Sequence, residues 1–238
     1  MRTLLLPLVL LLSACVTVDN SAEPELNANP REKADARLAL GMGYLQQGDM
    51  VKARENLEKA LQHDKSYYRA QLAMAHYFEQ VGEEADAEKL YKTALRQHPR
   101  NGNVMNNYGT FLCKQERYPQ ADQLFNRAIE QPYYYLISAS YENAALCALK
   151  AGKPEQAMGY FKRTLDHDPR RVTSLLRLTK LEIEQGEYTS ARIRLMNFHQ
   201  QFGVQQASLA LLIELEARAG NSALEEKYRK QLEALSNG

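Results

Sequence analysis

Cysteine and histidine are the residues of this chain most able to bind a metal ion or attack a substrate. The 238 residues include three cysteines and five histidines: Cys15, Cys113, Cys147, His63, His76, His98, His167 and His199. Metal sites usually contain two ligands a few residues apart, and no two histidines have that spacing. A glycine-rich phosphate loop and a nucleophile motif are also missing from the sequence. We therefore expect no catalytic residue, no metal site and no cofactor.

Cys15 follows a short apolar segment at the amino terminus. The first fourteen residues carry one positive charge, on Arg2, and then an apolar run over residues 4–12. A membrane-spanning helix needs about 20 apolar residues, whereas this run is about half as long and contains a proline. The pattern predicts a cleaved signal peptide over residues 1–14 and an exported protein.

The residues around Cys15 resemble the bacterial lipobox. Leu12, Ser13 and Ala14 precede the cysteine, and the resemblance implies cleavage before Cys15 and acylation of its sulfur and amino group. Several acyl chains would anchor the protein almost irreversibly, because each buried methylene contributes about 0.8 kcal/mol. In lipoproteins of this kind Val16, rather than Asp, after the cysteine favours transport to the outer membrane. The alternative is an ordinary cleavage site at which Cys15 is a chance neighbour.

The segment after Cys15 is polar and shows no helical period. Residues 15–30 contain two prolines, and we interpret them as a flexible, lipid-attached tether. We expect the protein to be anchored in the outer membrane and to face the periplasm. Removal of Arg2 with the signal peptide leaves 29 basic and 29 acidic residues. This balance provides no attraction for nucleic acid.

A 34-residue unit accounts for the rest of the chain and is clearest over residues 68–101. Its turn glycine recurs at separations of 34, 70, 34 and 34 residues, as Gly48, Gly82, Gly152, Gly186 and Gly220. Glycine can end a first helix in a left-handed conformation, and Pro99 cannot continue a second one. The unit is therefore a helix, a tight turn and a second helix.

This unit resembles the tetratricopeptide repeat. Ala75, Ala87 and Ala94 stand at positions 8, 20 and 27 of the unit, and Pro99 stands at position 32, as in that family. Six repeats can be recognised, near residues 34–67, 68–101, 102–137, 138–171, 172–205 and 206–236. The resemblance implies an all-α fold, a right-handed superhelical solenoid that forms a single domain over residues 31–236. The last helix, charged on its outer face, is expected to cap the array.

Repeats 3 and 4 are joined by a connection two residues longer than the others. It contains Tyr133, Tyr134 and Tyr135. We favour the interpretation that the three rings wedge the joint against both neighbouring repeats. The alternative is a partner-binding patch, because tyrosine is enriched at protein interfaces. Repeat 3 is also unusual in having Glu116 at the turn where its neighbours have glycine.

Cys113 and Cys147 lie on either side of this joint, at positions 12 and 10 of the first helices of repeats 3 and 4. First helices of successive repeats pack side by side, and an exported protein meets an oxidising compartment. We therefore expect a disulfide across the joint. The alternative is a pair of separately buried thiols.

The concave wall of a tetratricopeptide array is lined by positions 2, 5, 9, 12 and 13 of the first helices. In repeats 1 and 2 five residues at these positions form the predicted partner-binding groove: Leu38, Met42, Leu45, Leu72 and His76. Leucine and methionine side chains suit an amphipathic helix or an extended apolar peptide. The alternative is that residues 25–33 fold back and cover the groove.

The lipobox, the tether, the repeats over the whole mature chain and the Cys113/Cys147 pair together resemble the type IV pilus pilotin family. The resemblance implies a monomeric protein without enzymatic activity. Such a protein binds subunits of the pilus secretin, travels with them to the outer membrane and promotes their assembly into a ring. An alternative is a lipoprotein adaptor that recruits periplasmic cell-wall or envelope proteins. An enzyme with an unrecognised site is the third hypothesis.

Overall fold

A computed structural model describes residues 29–236, which form twelve α-helices without a β-strand. The helices are α1 (Pro30–Gln47), α2 (Met50–His63), α3 (Tyr68–Gln80), α4 (Glu84–Gln97), α5 (Gly102–Lys114), α6 (Tyr118–Ile129), α7 (Ile137–Lys150), α8 (Pro154–His167), α9 (Val172–Glu184), α10 (Tyr188–Phe202), α11 (Gln206–Arg218) and α12 (Ser222–Ser236). The predicted all-α solenoid of helix pairs is confirmed. The predicted signal peptide, Cys15 and the predicted tether up to residue 28 lie outside the described residues.

Each odd-numbered helix packs against the even-numbered helix that follows it. The first helices of repeats 1 to 4, α1, α3, α5 and α7, also contact one another in chain order. They form one wall of the solenoid, and each second helix packs against the first helix of the next repeat. Residues on the exposed side of this wall therefore come together from several repeats.

Small residues in the first helices make room for large residues of the second helices. A Cβ atom added to Gly41 would lie 2.7 Å from the Leu57 side chain, and one added to Gly109 would lie 2.8 Å from the Phe125 ring. Leu57 and Phe125 are completely buried. The small residue at position 8 is therefore required because the residue at position 24 occupies the space beside it.

The turn between the two helices of a repeat uses a left-handed residue. Gly82 has a φ of 78°, and the equivalent glycines of repeats 1, 4, 5 and 6 have similar values. In repeat 3 Glu116 takes this place with a φ of 58°. Pro119 lies in the first turn of the helix that follows, where its missing N–H costs no hydrogen bond.

The connection between α6 and α7 covers residues 130–136 and is longer than the four-residue connections at 98–101 and 168–171. Tyr134 is buried in it, and a Cβ atom on Gly102 would lie 2.5 Å from the Tyr134 ring. The Tyr134 hydroxyl is 2.8 Å from the Ser140 hydroxyl. Tyr133 and Tyr135 are exposed. The wedge interpretation therefore describes Tyr134 and does not describe its two neighbours.

Candidate functional site

A groove of about 690 Å³ crosses the wall formed by α1, α3 and α5. Its lining comes from these three helices and from the connection before α7: Asp35, Leu38, Ala39, Met42, Tyr68, Arg69, Leu72, Ala73, His76, Asn103, Asn107 and Tyr135. Leu38, Met42, Leu72 and His76 were predicted from the repeat register. Tyr135 lies in the long connection between α6 and α7, and the repeat pattern does not predict its place in the groove.

The floor of the groove is apolar and partly shielded from water. Leu38 is 7% exposed, while Met42, Leu72 and His76 are half-buried. Leu45 is not among the residues that line this groove. Its side chain is 8% exposed and belongs to the same buried cluster as Met74 and Tyr77 of α3. Leu38 belongs to that cluster too, but unlike Leu45 it also lines the groove.

Residues 30–33 do not fold back over the groove, because they form the first turn of α1. The Asn29 side chain accepts a hydrogen bond from the backbone N–H of Arg31, and the Glu32 carboxylate accepts one from the N–H of Asn29. The Arg31 guanidinium lies 3.9 Å above the Tyr67 ring and pairs with Asp64 at 2.8 Å. This part of the proposed cover is therefore wrong; residues 25–28 lie outside the described residues.

A small polar network closes one end of the groove. The Tyr67 hydroxyl donates to the Asp35 carboxylate and accepts from the Arg69 guanidinium at 3.1 Å. Asp35 and Arg69 also lie 3.6 Å apart. Burial raises the pKa of Tyr67, and the neighbouring Asp35 carboxylate raises it further. The charges of Asp35 and Arg69 balance each other, so this end of the groove does not favour a partner of either charge.

Cys113 of α5 and Cys147 of α7 are joined in the structure, with 5.8 Å between their Cα atoms. The bond connects the first helices of repeats 3 and 4 across the long connection. Between the same two helices, the Asn106 side-chain oxygen accepts hydrogen bonds from Ser140 at 3.0 Å and from Asn143 at 3.1 Å. A covalent bond and a polar network therefore hold the irregular joint.

Two carboxylates, Glu182 and Glu216, are buried although the repeat pattern does not predict it. Glu182 is 1% exposed and accepts hydrogen bonds from Arg194 at 2.7 and 3.0 Å. Glu216 is completely buried and accepts from Arg192 at 2.8 Å with both carboxylate oxygens. Both glutamates replace an apolar residue at position 11, and this departure from the pattern was the available signal. The Glu182 pair joins α9 to α10, and the Glu216 pair joins α10 to α11. Both pairs are distant in sequence from the groove.

Within residues 29–236 no group of three or more histidine, cysteine or acidic side chains is arranged to hold a metal ion. In the same part of the chain, no helix is both long and apolar enough to cross a membrane. Tyr108, Glu88 and Arg117 form a cluster of titratable side chains with shifted pKa values, which links repeats 2 and 3. These residues are tied to one another between repeats, and they do not line the groove.

The helix pairs and the groove on the wall of first helices define a tetratricopeptide repeat protein, and a family model described as tetratricopeptide repeat matches residues 100–170. The type IV pilus assembly protein PilF of Pseudomonas aeruginosa is 34% identical over 227 residues, which cover 95% of this chain and 90% of PilF. The chain belongs to the PilF family of type IV pilus assembly proteins.

Two solved structures are similar over most of their length. The first, described as a functional characterisation of Pseudomonas aeruginosa PilF, has a TM-score of 0.73 and 35% sequence identity. It covers 88% of this chain, which covers 94% of it. The second is PilW, described as a widely conserved type IV pilus biogenesis factor, with a TM-score of 0.72, 25% identity and coverage of 84% of this chain and 92% of PilW.

Proposed function

We propose that this chain acts in type IV pilus biogenesis as an outer-membrane pilotin that binds subunits of the pilus secretin. The family supports the pilus assignment, because PilF is named an assembly protein and PilW a biogenesis factor. The observation that carries the binding role is the groove across α1, α3 and α5, with Leu38, Met42 and Leu72 on its floor. Tetratricopeptide repeats present such concave surfaces to other proteins.

The groove suits an apolar segment of the secretin. Burial of leucine and methionine against an apolar partner removes water from both surfaces, which stabilises the complex by about 25 cal/mol per Å² of apolar area before the costs of association. Methionine adapts its shape to different partners. His76, Asn103 and Asn107 provide polar groups beside the floor, and these would set the orientation of the bound segment.

Transport would follow from the lipid at Cys15. In this proposal the acylated protein carries the bound secretin subunit to the outer membrane, where high local concentration favours ring assembly. No covalent bond is made or broken, and no cofactor is needed.

The test is a Cys15→Ser variant expressed in a strain that lacks the native gene. We expect secretin monomers to stay at the inner membrane, and membrane fractionation with immunoblotting of heat-resistant multimers measures this. The control is the wild-type gene in the same strain. Normal outer-membrane multimers in the strain without the gene would end the pilotin proposal. Normal multimers in the Cys15→Ser strain alone would end only the role of the lipid.

A further inference from the structure

A second cavity lies further along the wall of first helices, in repeats 3 to 5. It has a volume of about 310 Å³ and is separate from the groove, with which it shares no residue. Its apolar part is formed by Leu146, Leu149 and the Cys113–Cys147 disulfide. The volume is at the lower end of the range for ligand sites, so it suits one or two anchoring side chains and not a whole peptide.

Three cations surround this apolar part: Lys114, Lys150 and Arg177. The lining contains no aspartate or glutamate. Lys114 pairs with Glu79 at 2.7 Å, whereas no carboxylate among residues 29–236 lies within ion-pair distance of Lys150 or Arg177. By contrast, Arg171 nearby in the chain is paired with Glu142. Two exposed cations without partners therefore stand beside an apolar cavity.

We propose that this cavity binds a segment of a partner protein in which an apolar side chain is flanked by aspartate or glutamate. The apolar side chain would enter between Leu146 and Leu149, and the carboxylates would pair with Lys150 and Arg177. Charge complementarity selects this occupant, because a purely apolar segment would leave both cations without partners. The groove, whose Asp35 and Arg69 balance each other, selects differently. The array thus has two interaction sites with different preferences.

The test uses the lipid-free protein, residues 15–238 with Cys15→Ser, and three fluorescein-labelled peptides. The first peptide is Gly-Ser-Leu-Glu-Asp-Leu-Glu-Ser-Gly. The second replaces each acid by its amide, and the third replaces each leucine by serine. We expect measurable binding of the first peptide by fluorescence anisotropy at concentrations up to about 1 mM. We expect both other peptides to bind at least about tenfold more weakly, because each lacks one half of the recognition.

The double variant K150E/R177E should weaken binding of the first peptide by at least about tenfold. The matched control is K89E/K162E, which makes the same change of charge at two exposed lysines of α4 and α8 outside the cavity. Absence of binding at about 1 mM, equal binding of the amide peptide, or equal weakening by the control would overturn the proposal. The groove variant M42D/L72D should leave binding of the first peptide unchanged, because Met42 and Leu72 do not line the cavity. Failure of the cavity proposal can therefore be distinguished from failure of the secretin proposal.

Two other occupants are outcomes of the same series. In the first, the protein binds vesicles that contain phosphatidylglycerol and loses this binding in the variant K150E, without binding the acidic peptide. That result would assign the cavity to a lipid headgroup and overturn the proposal. Self-association that is lost in K150E/R177E, measured by sedimentation, would assign it to a second copy of this chain and would also overturn it.

Discussion

Glu116 holds a backbone conformation that glycine holds in the other repeats. Its φ of 58° lies in the left-handed region, where an L-residue pays about 1–2 kcal/mol. The side chain is exposed, so no buried contact offsets this cost. Gly82, at the same place in repeat 2, has a φ of 78° and no atom within 4 Å of an added Cβ. The two sites form a matched pair for backbone strain.

We expect Glu116→Gly to raise the free energy of unfolding by about 1 kcal/mol, because glycine adopts a left-handed conformation without steric cost. Urea unfolding followed by circular dichroism measures the change. The control is Gly82→Ala, which should lower the free energy of unfolding by a similar amount. A decrease on Glu116→Gly would show that the glutamate contributes a contact that its exposure does not reveal.

Glu88 of repeat 2 interacts with two side chains of repeat 3. It accepts hydrogen bonds from Arg117 at 2.7 Å and from Tyr108 at 3.0 Å, and it pairs with Lys92 at 3.0 Å. The Arg117 guanidinium is the main cause that lowers the pKa of Glu88 from 4.5 to about 2. Burial next to this carboxylate raises the pKa of Tyr108 to about 12. Both shifts favour the arrangement seen at neutral pH.

The depressed pKa makes this contribution to stability depend on pH. Unfolded Glu88 binds a proton more readily than folded Glu88, so the contribution is complete above pH 4.5 and is lost as the pH falls towards 2. We expect Glu88→Gln to destabilise the protein at pH 7 by about 1–2 kcal/mol. The difference from wild type should shrink between pH 5 and pH 3 when both are unfolded in urea. A difference that is constant with pH would contradict the assignment.

At the scale of helices, α9 and α10 are joined by an ion pair that the repeat pattern does not contain. Glu182 of α9 is buried and bonded with both oxygens to Arg194 of α10. The pair takes the place of the contact that an apolar or aromatic residue at position 11 makes in repeats 1 to 4. Removal of one partner leaves the other charge buried without compensation, which costs more than the intact pair contributes.

We expect Arg194→Met to lower the free energy of unfolding by about 3–5 kcal/mol. The double variant Glu182→Leu with Arg194→Met should recover most of this loss, because both charges are removed together. Thermal unfolding of wild type, both single variants and the double variant measures the coupling. Additive losses in the double variant would show that the two residues act independently.

A disulfide joins α5 to α7, as the ion pair joins α9 to α10. Its cysteines are 34 residues apart. Closing a loop of that length lowers the entropy of the unfolded chain, which raises the free energy of unfolding by about 3–4 kcal/mol. We expect Cys113→Ala with Cys147→Ala to lower the free energy of unfolding by that order. Unreduced, denatured protein carrying Cys15→Ser should not react with a thiol reagent. Two reactive thiols per chain would contradict the bond.

The helices were predictable because each repeat presents the same small and large residues at the same places. Gly82 and Pro99 mark the ends of helices in almost any context, and α3 begins at Tyr68, as the register predicts. The side-chain direction at position 12 was less predictable. Leu45 at this position points into packing between repeats, because the register gives a helix face and not the depth to which a neighbour covers it.

Residues outside the repeat pattern were not predictable in this way. Tyr135 reaches the groove through the long connection, and Tyr134 is buried while Tyr133 next to it is fully exposed. Successive residues in an irregular connection have no period from which their directions follow. The ion-pair partner of the buried Glu182 could not be predicted either, because Arg194 lies on the next helix.

Across the whole molecule, the six repeats share one fold and differ in the residues that they expose. Repeats 1 to 3 carry the apolar groove, repeats 3 to 5 carry the cavity with unpaired cations, and repeats 5 and 6 are held by buried ion pairs. α12 has no fully buried residue and ends the array with a charged face. Since each repeat contacts mainly its neighbours, a substitution in one site should leave the distant site folded.

The most direct test of the secretin proposal introduces an acid into the groove and follows the secretin. The variant M42D/L72D changes two half-buried groove residues, and the control L40D/V51D changes two exposed apolar residues of α1 and α2 outside the groove. Thermal unfolding first establishes that both proteins are folded. The pilotin proposal predicts that heat-resistant secretin multimers in the outer membrane are lost with M42D/L72D and kept with L40D/V51D. Normal multimers with folded M42D/L72D would contradict it.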